Sequence, residues 1–83
     1  MKVNVRYFAS LREALGAGEV VETTAGRTVG QLRDALIKRG GAHAQALARG
    51  RAVRTALDQT LCDEAAPLHD DAELAFFPPV TGG

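Results

Sequence analysis

The sequence predicts an α+β fold, a mixed sheet of about five strands packed on one main helix with short helices beside it. Three observations carry this. Residues Lys2 to Ala9 and Glu73 to Phe77 alternate with the period of half-buried strands. Between them lies one strongly signalled amphipathic helix, opened by Thr28 and closed by Gly40-Gly41. The chain has only 83 residues, enough for one small core and too few to enclose a roomy cleft.

In the first strand, Val3, Val5 and Tyr7 share one face, and Lys2, Asn4, Arg6 and Phe8 share the other. Ser10-Leu11-Arg12-Glu13 has the pattern of a capping box and predicts a short helix that runs to Leu15 and stops at Gly16. Glu19 to Thr24 is rich in Val and Thr, which predicts a second strand paired with the first. Thr28 then pairs with Gln31 as a second capping box, and Val29, Leu32, Ala35 and Leu36 form the apolar stripe of the main helix, expected to end near Arg39. Ala42 to Ala48 reads equally as a helical turn or a compact loop. Ala52 to Leu57 alternates with Val53, Thr55 and Leu57 inward, and Asp58-Gln59 makes a tight turn into Thr60-Leu61-Cys62. A polar Asp70-Asp71 turn leads to the last strand, which Pro78-Pro79 halts. This order of elements is the ubiquitin-like β-grasp plan, with a domain over residues 1–77 and an extended flexible tail over 78–83.

Ten Lys plus Arg balance ten Asp plus Glu, so neither nucleic acid nor a membrane surface is an expected partner. Cys62 is the sole cysteine, and the start of the chain shows no apolar targeting run, which makes a cytoplasmic setting the default expectation. The tail carries the functional signal. Pro78 and Pro79 remove two backbone donors, β-branched Val80 and Thr81 keep the chain extended, and Gly82-Gly83 pass where no bulkier residue fits. Six residues from Pro78 to Gly83 reach about 20 Å at full extension, far enough to place a carboxylate in a partner's pocket. Terminal glycines also occur as plain disordered ends. The proline-stiffened approach distinguishes this pair.

Phe76-Phe77-Pro78-Pro79-Val80-Thr81-Gly82-Gly83 resembles the terminal signature of the molybdopterin synthase small subunit family. Tyr7-Phe8-Ala9 with Arg12-Glu13, and the Gln59-Thr60-Leu61 turn, are similar to other parts of that family, so the resemblance spans essentially the whole chain. Asp58 departs from it, since asparagine is expected there. The resemblance implies a sulfur carrier whose reacting residue is Gly83, with Pro79, Val80, Thr81 and Gly82 as the inserted tail. It implies activation of the Gly83 carboxylate to an adenylate by a ubiquitin-activating-type adenylyltransferase that uses ATP and Mg²⁺. It further implies conversion to a thiocarboxylate by a persulfide donor, and sulfur transfer to cyclic pyranopterin monophosphate inside the large synthase subunit, in a heterotetramer of two small and two large subunits. No cofactor or metal is expected on the domain itself, nor any catalytic activity of its own. Related carriers for thiamin or cysteine synthesis, and a ubiquitin-like protein modifier, are the alternative readings.

Alternation places Phe8, Leu61 and Phe77 on the open face of the sheet, where a solvent-facing apolar cluster reads as a partner interface. Cys62 is then expected to face the core as an inert small hydrophobe. His43 and His69 lack metal-ligand spacing, Asp70-Asp71 reads as a solvated turn, and Lys38-Arg39 as a helix end.

Overall fold

A computed structural model describes residues 1–79. Eight elements follow in order: β1 (Lys2–Tyr7), α1 (Ala9–Leu15), β2 (Gly18–Glu22), α2 (Val29–Ile37), α3 (Gly41–Ala46), β3 (Arg54–Leu57), β4 (Thr60–Cys62) and β5 (Ala72–Phe77). The strands form one sheet in the order β2-β1-β5-β3-β4. β1 and β5 run parallel at its centre and every other pairing is antiparallel, which is the mixed β-grasp sheet.

The inward residues of β1 and β5 are Val3, Val5, Tyr7, Leu74 and Phe76, all almost wholly buried. They meet Val29, Leu32 and Leu36 of α2, with Leu11, Leu47 and Leu68 closing the ends of the same cluster. Each large apolar side chain so buried stabilises the fold by about 1.5–3 kcal/mol before entropy is counted. At the start of α2, the Thr28 hydroxyl accepts from the Gln31 N–H at 3.2 Å and the Gln31 side chain accepts from the Thr28 N–H at 2.9 Å. The N–H groups of Val29 and Gly30 donate to the carbonyls of Ala66 and Glu64 at 3.0 and 2.9 Å. A Cβ at Gly30 would lie 2.9 Å from the Glu64 carboxylate and 3.2 Å from the Glu64 carbonyl oxygen, so a larger residue there would have to displace Glu64.

Two local expectations are corrected. Ser10 and Glu13 form no capping box: α1 begins at Ala9, its N-cap is Phe8, and no side chain caps it. The cause is tertiary. The Phe8 N–H donates to the Phe76 carbonyl at 3.1 Å, and the Phe8 carbonyl accepts from Leu11 and Arg12. The helix therefore starts from the sheet, β1 stops at Tyr7 rather than Ala9, and Ser10 falls inside the first turn. The main helix ends near Arg39 as expected, with Lys38 as its C-cap, and the Arg39 guanidinium bonds across to Glu19. Ala42 to Ala48, left open between helix and loop, is helical up to Ala46.

Arg33 is buried in the middle of α2, although the helix pattern marks it as a polar residue between apolar ones. Its Nε donates to the Leu47 carbonyl at 2.9 Å, Nη1 to the Glu64 carboxylate at 2.8 Å and Nη2 to the Ala48 carbonyl at 2.9 Å. The loop after α3 and the segment after β4 are thereby tied to one guanidinium. Arg49 completes the network by bonding Glu64, Asp34 and the Gly30 carbonyl. Burial pushes the Glu64 carboxyl up, but the hydrogen bonds from Arg49 and Arg33 outweigh it and hold the group below its ordinary value.

Candidate functional site: the open sheet face and the root of the tail

The helices cover one face of the sheet and leave the other open. Pairing register places Arg6, Ala75, Ala56 and Leu61 in one row across that open face. Arg54 and Phe77 stand opposite one another in the next row, beside Phe8 at the end of β1. Ala75 and Ala56 form a low floor, and Phe8 (42 % exposed) and Leu61 (70 % exposed) rise from it. Phe77 is half-buried, as are Pro78 and Pro79, which lead from β5 toward the terminus. Val20, 61 % exposed on edge strand β2, adds an apolar position to the same face. Sequence reading did not single it out, although alternation against buried Val21 would have shown it. Of the predicted tail, Pro79 lies at the end of the described segment, while Val80, Thr81, Gly82 and Gly83 lie outside the described residues.

Cys62 points inward and packs against the core, its Sγ 3.5 Å from the Thr55 hydroxyl, as expected of a structural thiol. Thr55 donates in turn to the Cys62 carbonyl at 3.0 Å, joining β3 to β4. No cluster of His, Cys, Asp and Glu suited to a metal occurs among the described residues, and none of their helices is long and apolar enough to cross a membrane.

The two histidines are structural, and each sits in a hydrogen-bonded cluster. His43 Nε2 lies 3.0 Å from Glu19, which also accepts from the Tyr7 hydroxyl at 2.8 Å and from Arg39 at 2.5 Å. Burial raises the Glu19 pKa, and the bonds from His43, Arg39 and Tyr7 reverse that shift and lower it overall. Burial, then the Glu19 bond, pushes the Tyr7 phenol well above its ordinary value. This cluster fastens β1, β2, the turn after α2 and α3 together.

His69 and Asp58 form an exposed clasp at the far end of the sheet. Asp58 and Gln59 both adopt left-handed backbone, with φ of 49° and 68°, which makes the two-residue turn joining β3 to β4 of the I′ kind. Aspartate tolerates this conformation nearly as well as asparagine, which explains how it occupies the position. Its carboxylate accepts from the Glu73 N–H at 3.0 Å and faces His69 Nε2, while His69 Nδ1 lies 2.9 Å from the Asp70 carbonyl. Because both ring nitrogens face oxygens, only the imidazolium satisfies both contacts. The Asp58 bond, then the Asp70 carbonyl, raises the His69 pKa, and the His69 bond followed by the Glu73 N–H lowers that of Asp58.

For His69, a raised folded pKa means a contribution fully present below the ordinary 6.5 and lost as pH rises through the folded value. For Asp58, the contribution is present above the ordinary 3.8 and lost as pH falls through its lowered value. The clasp is therefore strongest between these two limits. An NMR titration is expected to place the His69 midpoint above 6.5 and to return it toward 6.5 in Asp58→Asn. A midpoint unmoved by that substitution would refute the pairing.

Comparison with known proteins agrees with this geometry. The sequence profile of the ThiS family matches residues 5–83. Over 81 residues the chain is 36 % identical to the molybdopterin synthase sulfur carrier subunit of Haemophilus influenzae and 38 % identical to that of Escherichia coli. Each match covers 98 % of this chain and 99 % of the relative. Among solved structures, the fold is similar to that of H. volcanii small archaeal modifier protein 1, with a TM-score of 0.77 and 26 % identity over 95 % of this chain and 98 % of that one. It is also similar to a chain in the complex of subunits 1 and 2 of the molybdopterin-converting factor from Helicobacter pylori, with a TM-score of 0.71 and 26 % identity over the whole of both chains. Matched by the profile through Gly83 and by these relatives along nearly its full length, the chain belongs to the ThiS family and stands among the molybdopterin synthase sulfur carrier subunits.

Proposed function

We propose that this protein carries sulfur to molybdopterin synthase on the carboxylate of Gly83. The observation that carries the reading is the full-length likeness to two molybdopterin synthase sulfur carrier subunits. A carboxylate does not transfer its acyl group unaided, because its oxygen is a poor leaving group. Attack of the Gly83 carboxylate on ATP, on a ubiquitin-activating-type adenylyltransferase holding Mg²⁺, forms the acyl-adenylate and releases pyrophosphate. Sulfur from a persulfide donor displaces AMP, and reduction by a thiol frees the thiocarboxylate. The tail from Pro79 to Gly82 then threads into the large subunit, where the thiocarboxylate sulfur attacks cyclic pyranopterin monophosphate and water hydrolyses the acyl–sulfur bond, leaving the sulfur on the pterin and returning the Gly83 carboxylate. Two such deliveries complete the dithiolene. The folded domain supplies no acid or base to this step, and the charge-stabilising groups belong to the larger partner.

The folded body acts as a handle, and Phe8, Leu61 and Phe77 form its docking surface. The converting-factor complex of H. pylori, whose similar chain is paired with a second subunit, supports a partner of this kind. Phe77→Asp is expected to weaken binding to the large subunit by about ten-fold or more, since a carboxylate would replace an apolar anchor at the root of the tail. Circular dichroism should show the fold retained, because Phe76 rather than Phe77 belongs to the core. Unchanged affinity would exclude this face. Cys62→Ala is expected to leave sulfur transfer nearly untouched in a single-turnover assay, and loss of transfer would assign the sulfur to the thiol.

The likeness to small archaeal modifier protein 1 supports a second reading, conjugation of Gly83 to lysines of other proteins. Reconstitution separates the two. With a large subunit and the cyclic pterin, charged protein should yield dithiolene product, whereas isopeptide-linked adducts without that product would favour the modifier.

A further inference from the structure

The charges on the open face are unevenly placed. At one end Lys2 stands opposite Glu22 across β1 and β2, and the Glu22 carboxylate pairs with the Met1 amino group at 3.6 Å. At the other end, around the apolar cluster, two arginines lie on either side of β5. Arg6 has an internal counter-ion, with Nη1 3.7 Å from the Glu73 carboxylate, and its guanidinium lies 6.0 Å from the Phe8 ring centre. Arg54 is exposed and differs: no carboxylate among the described residues pairs with it. Its Cα is paired with that of Phe77, the last residue of β5, so the two residues are cross-strand neighbours on the same face at the root of the tail.

The position has an energetic consequence if the face docks. Seating Phe77 against another protein strips water from its immediate neighbours, and a guanidinium that loses water without a counter-ion is strongly disfavoured. The low cost of leaving Arg54 unpaired in the free protein thus becomes a requirement on whatever covers it. Arg6 makes no such demand because Glu73 accompanies it.

We propose that Arg54 reads charge on the partner: the docking surface of the large subunit presents a carboxylate opposite it, beside the apolar area that receives Phe8, Leu61 and Phe77. This rests on the reading of the open face as the large-subunit interface. The partner's surface is then apolar at its centre and acidic on the β3 side, and like charge there excludes proteins with a basic rim.

Binding kinetics with the large subunit from the same organism test the assignment, using the full chain and the variants Arg54→Lys, Arg54→Gln, Arg54→Glu and Phe77→Asp. Arg54→Lys is expected to associate at close to the unsubstituted rate. Arg54→Glu is expected to associate about ten-fold or more slowly at low ionic strength, with the deficit shrinking as salt is added. Should Arg54→Glu fold poorly by circular dichroism, Arg54→Gln carries the same test through a shallower dependence of the association rate on salt. If the Arg54 variants bind at the unsubstituted rate with the same salt dependence while Phe77→Asp binds weakly, the Arg54 assignment is overturned and the docking face survives. If Phe77→Asp also binds normally, both fall. Faster association of Arg54→Glu would indicate a basic partner surface and overturn the assignment as well.

Discussion

A variant with one residue added after Gly83, and a variant that ends at Gly82, are each expected to lose sulfur transfer while unfolding at the same urea concentration as the chain ending at Gly83. In the extended variant the Gly83 carbonyl is locked in an amide, which offers no carboxylate oxygen to attack ATP. The new terminal carboxylate stands one residue too far along and carries a side chain unless the addition is glycine. The shortened variant keeps a terminal carboxylate but falls short by about 3.3–3.6 Å. That displacement exceeds the roughly 1 Å misplacement that already costs about a hundred-fold in rate. Stability should be unchanged, because among the described residues the core cluster ends with Phe76. Single-turnover transfer and urea unfolding, run on the same samples, check both halves. Full transfer by the extended variant would show that the reacting group is elsewhere.

Arg33→Ala is expected to destabilise the fold by about 3 kcal/mol, the lower end of what breaking a buried ion pair costs, since the Glu64 side chain is 34 % exposed and partly rehydrates. The loss has two parts. The carbonyls of Leu47 and Ala48 lose charged donors, and Glu64 keeps only Arg49. Arg33→Lys should recover little of this, because one ammonium cannot reach three acceptors held in the planar fork of a guanidinium. Urea titration reads the effect as a lower midpoint with the slope unchanged. A midpoint within error of the unsubstituted protein would mean that the network contributes nothing net.

These two residues mark what was legible in the sequence and what was not. Gly83 stands in a motif whose meaning is local: prolines, β-branched residues and glycines each restrict the chain next to them. The same holds for the Thr28-Gln31 capping box and for the alternation that divided Val3, Val5 and Tyr7 from Phe8, and the structure reproduces these two. Arg33 could not be read this way. Its partners lie 14, 15 and 31 residues along the chain, so nothing near it in sequence distinguishes a buried staple from a surface arginine on the flank of the stripe. Ser10-Glu13 failed for the same kind of reason, since a sheet contact from Phe8 outcompeted a side-chain cap. Glu19, Arg39 and His43 meet only because the turn after α2 and the start of α3 lie against β2. The clasp of Asp58 and His69 likewise joins residues 11 apart, across a turn whose left-handed backbone only the structure displays.

The proposed docking face stands between these cases. Periodicity places Phe8, Leu61 and Phe77 on one side of the sheet, but only the strand order brings β1, β5 and β3 together so that Arg54 lies beside Phe77. A charge on a neighbouring strand belongs to the face through pairing register, which no single strand encodes.

Intact-mass spectrometry of the chain after incubation with its activating enzyme, ATP, Mg²⁺, a persulfide donor and a reducing thiol tests the carrier chemistry most directly. The proposed mechanism predicts a mass gain equal to one sulfur replacing one oxygen, located on the terminal peptide containing Gly83 and abolished when ATP is omitted. A mass that stays unchanged with an enzyme active on a known carrier, or a sulfur located on Cys62, would contradict it.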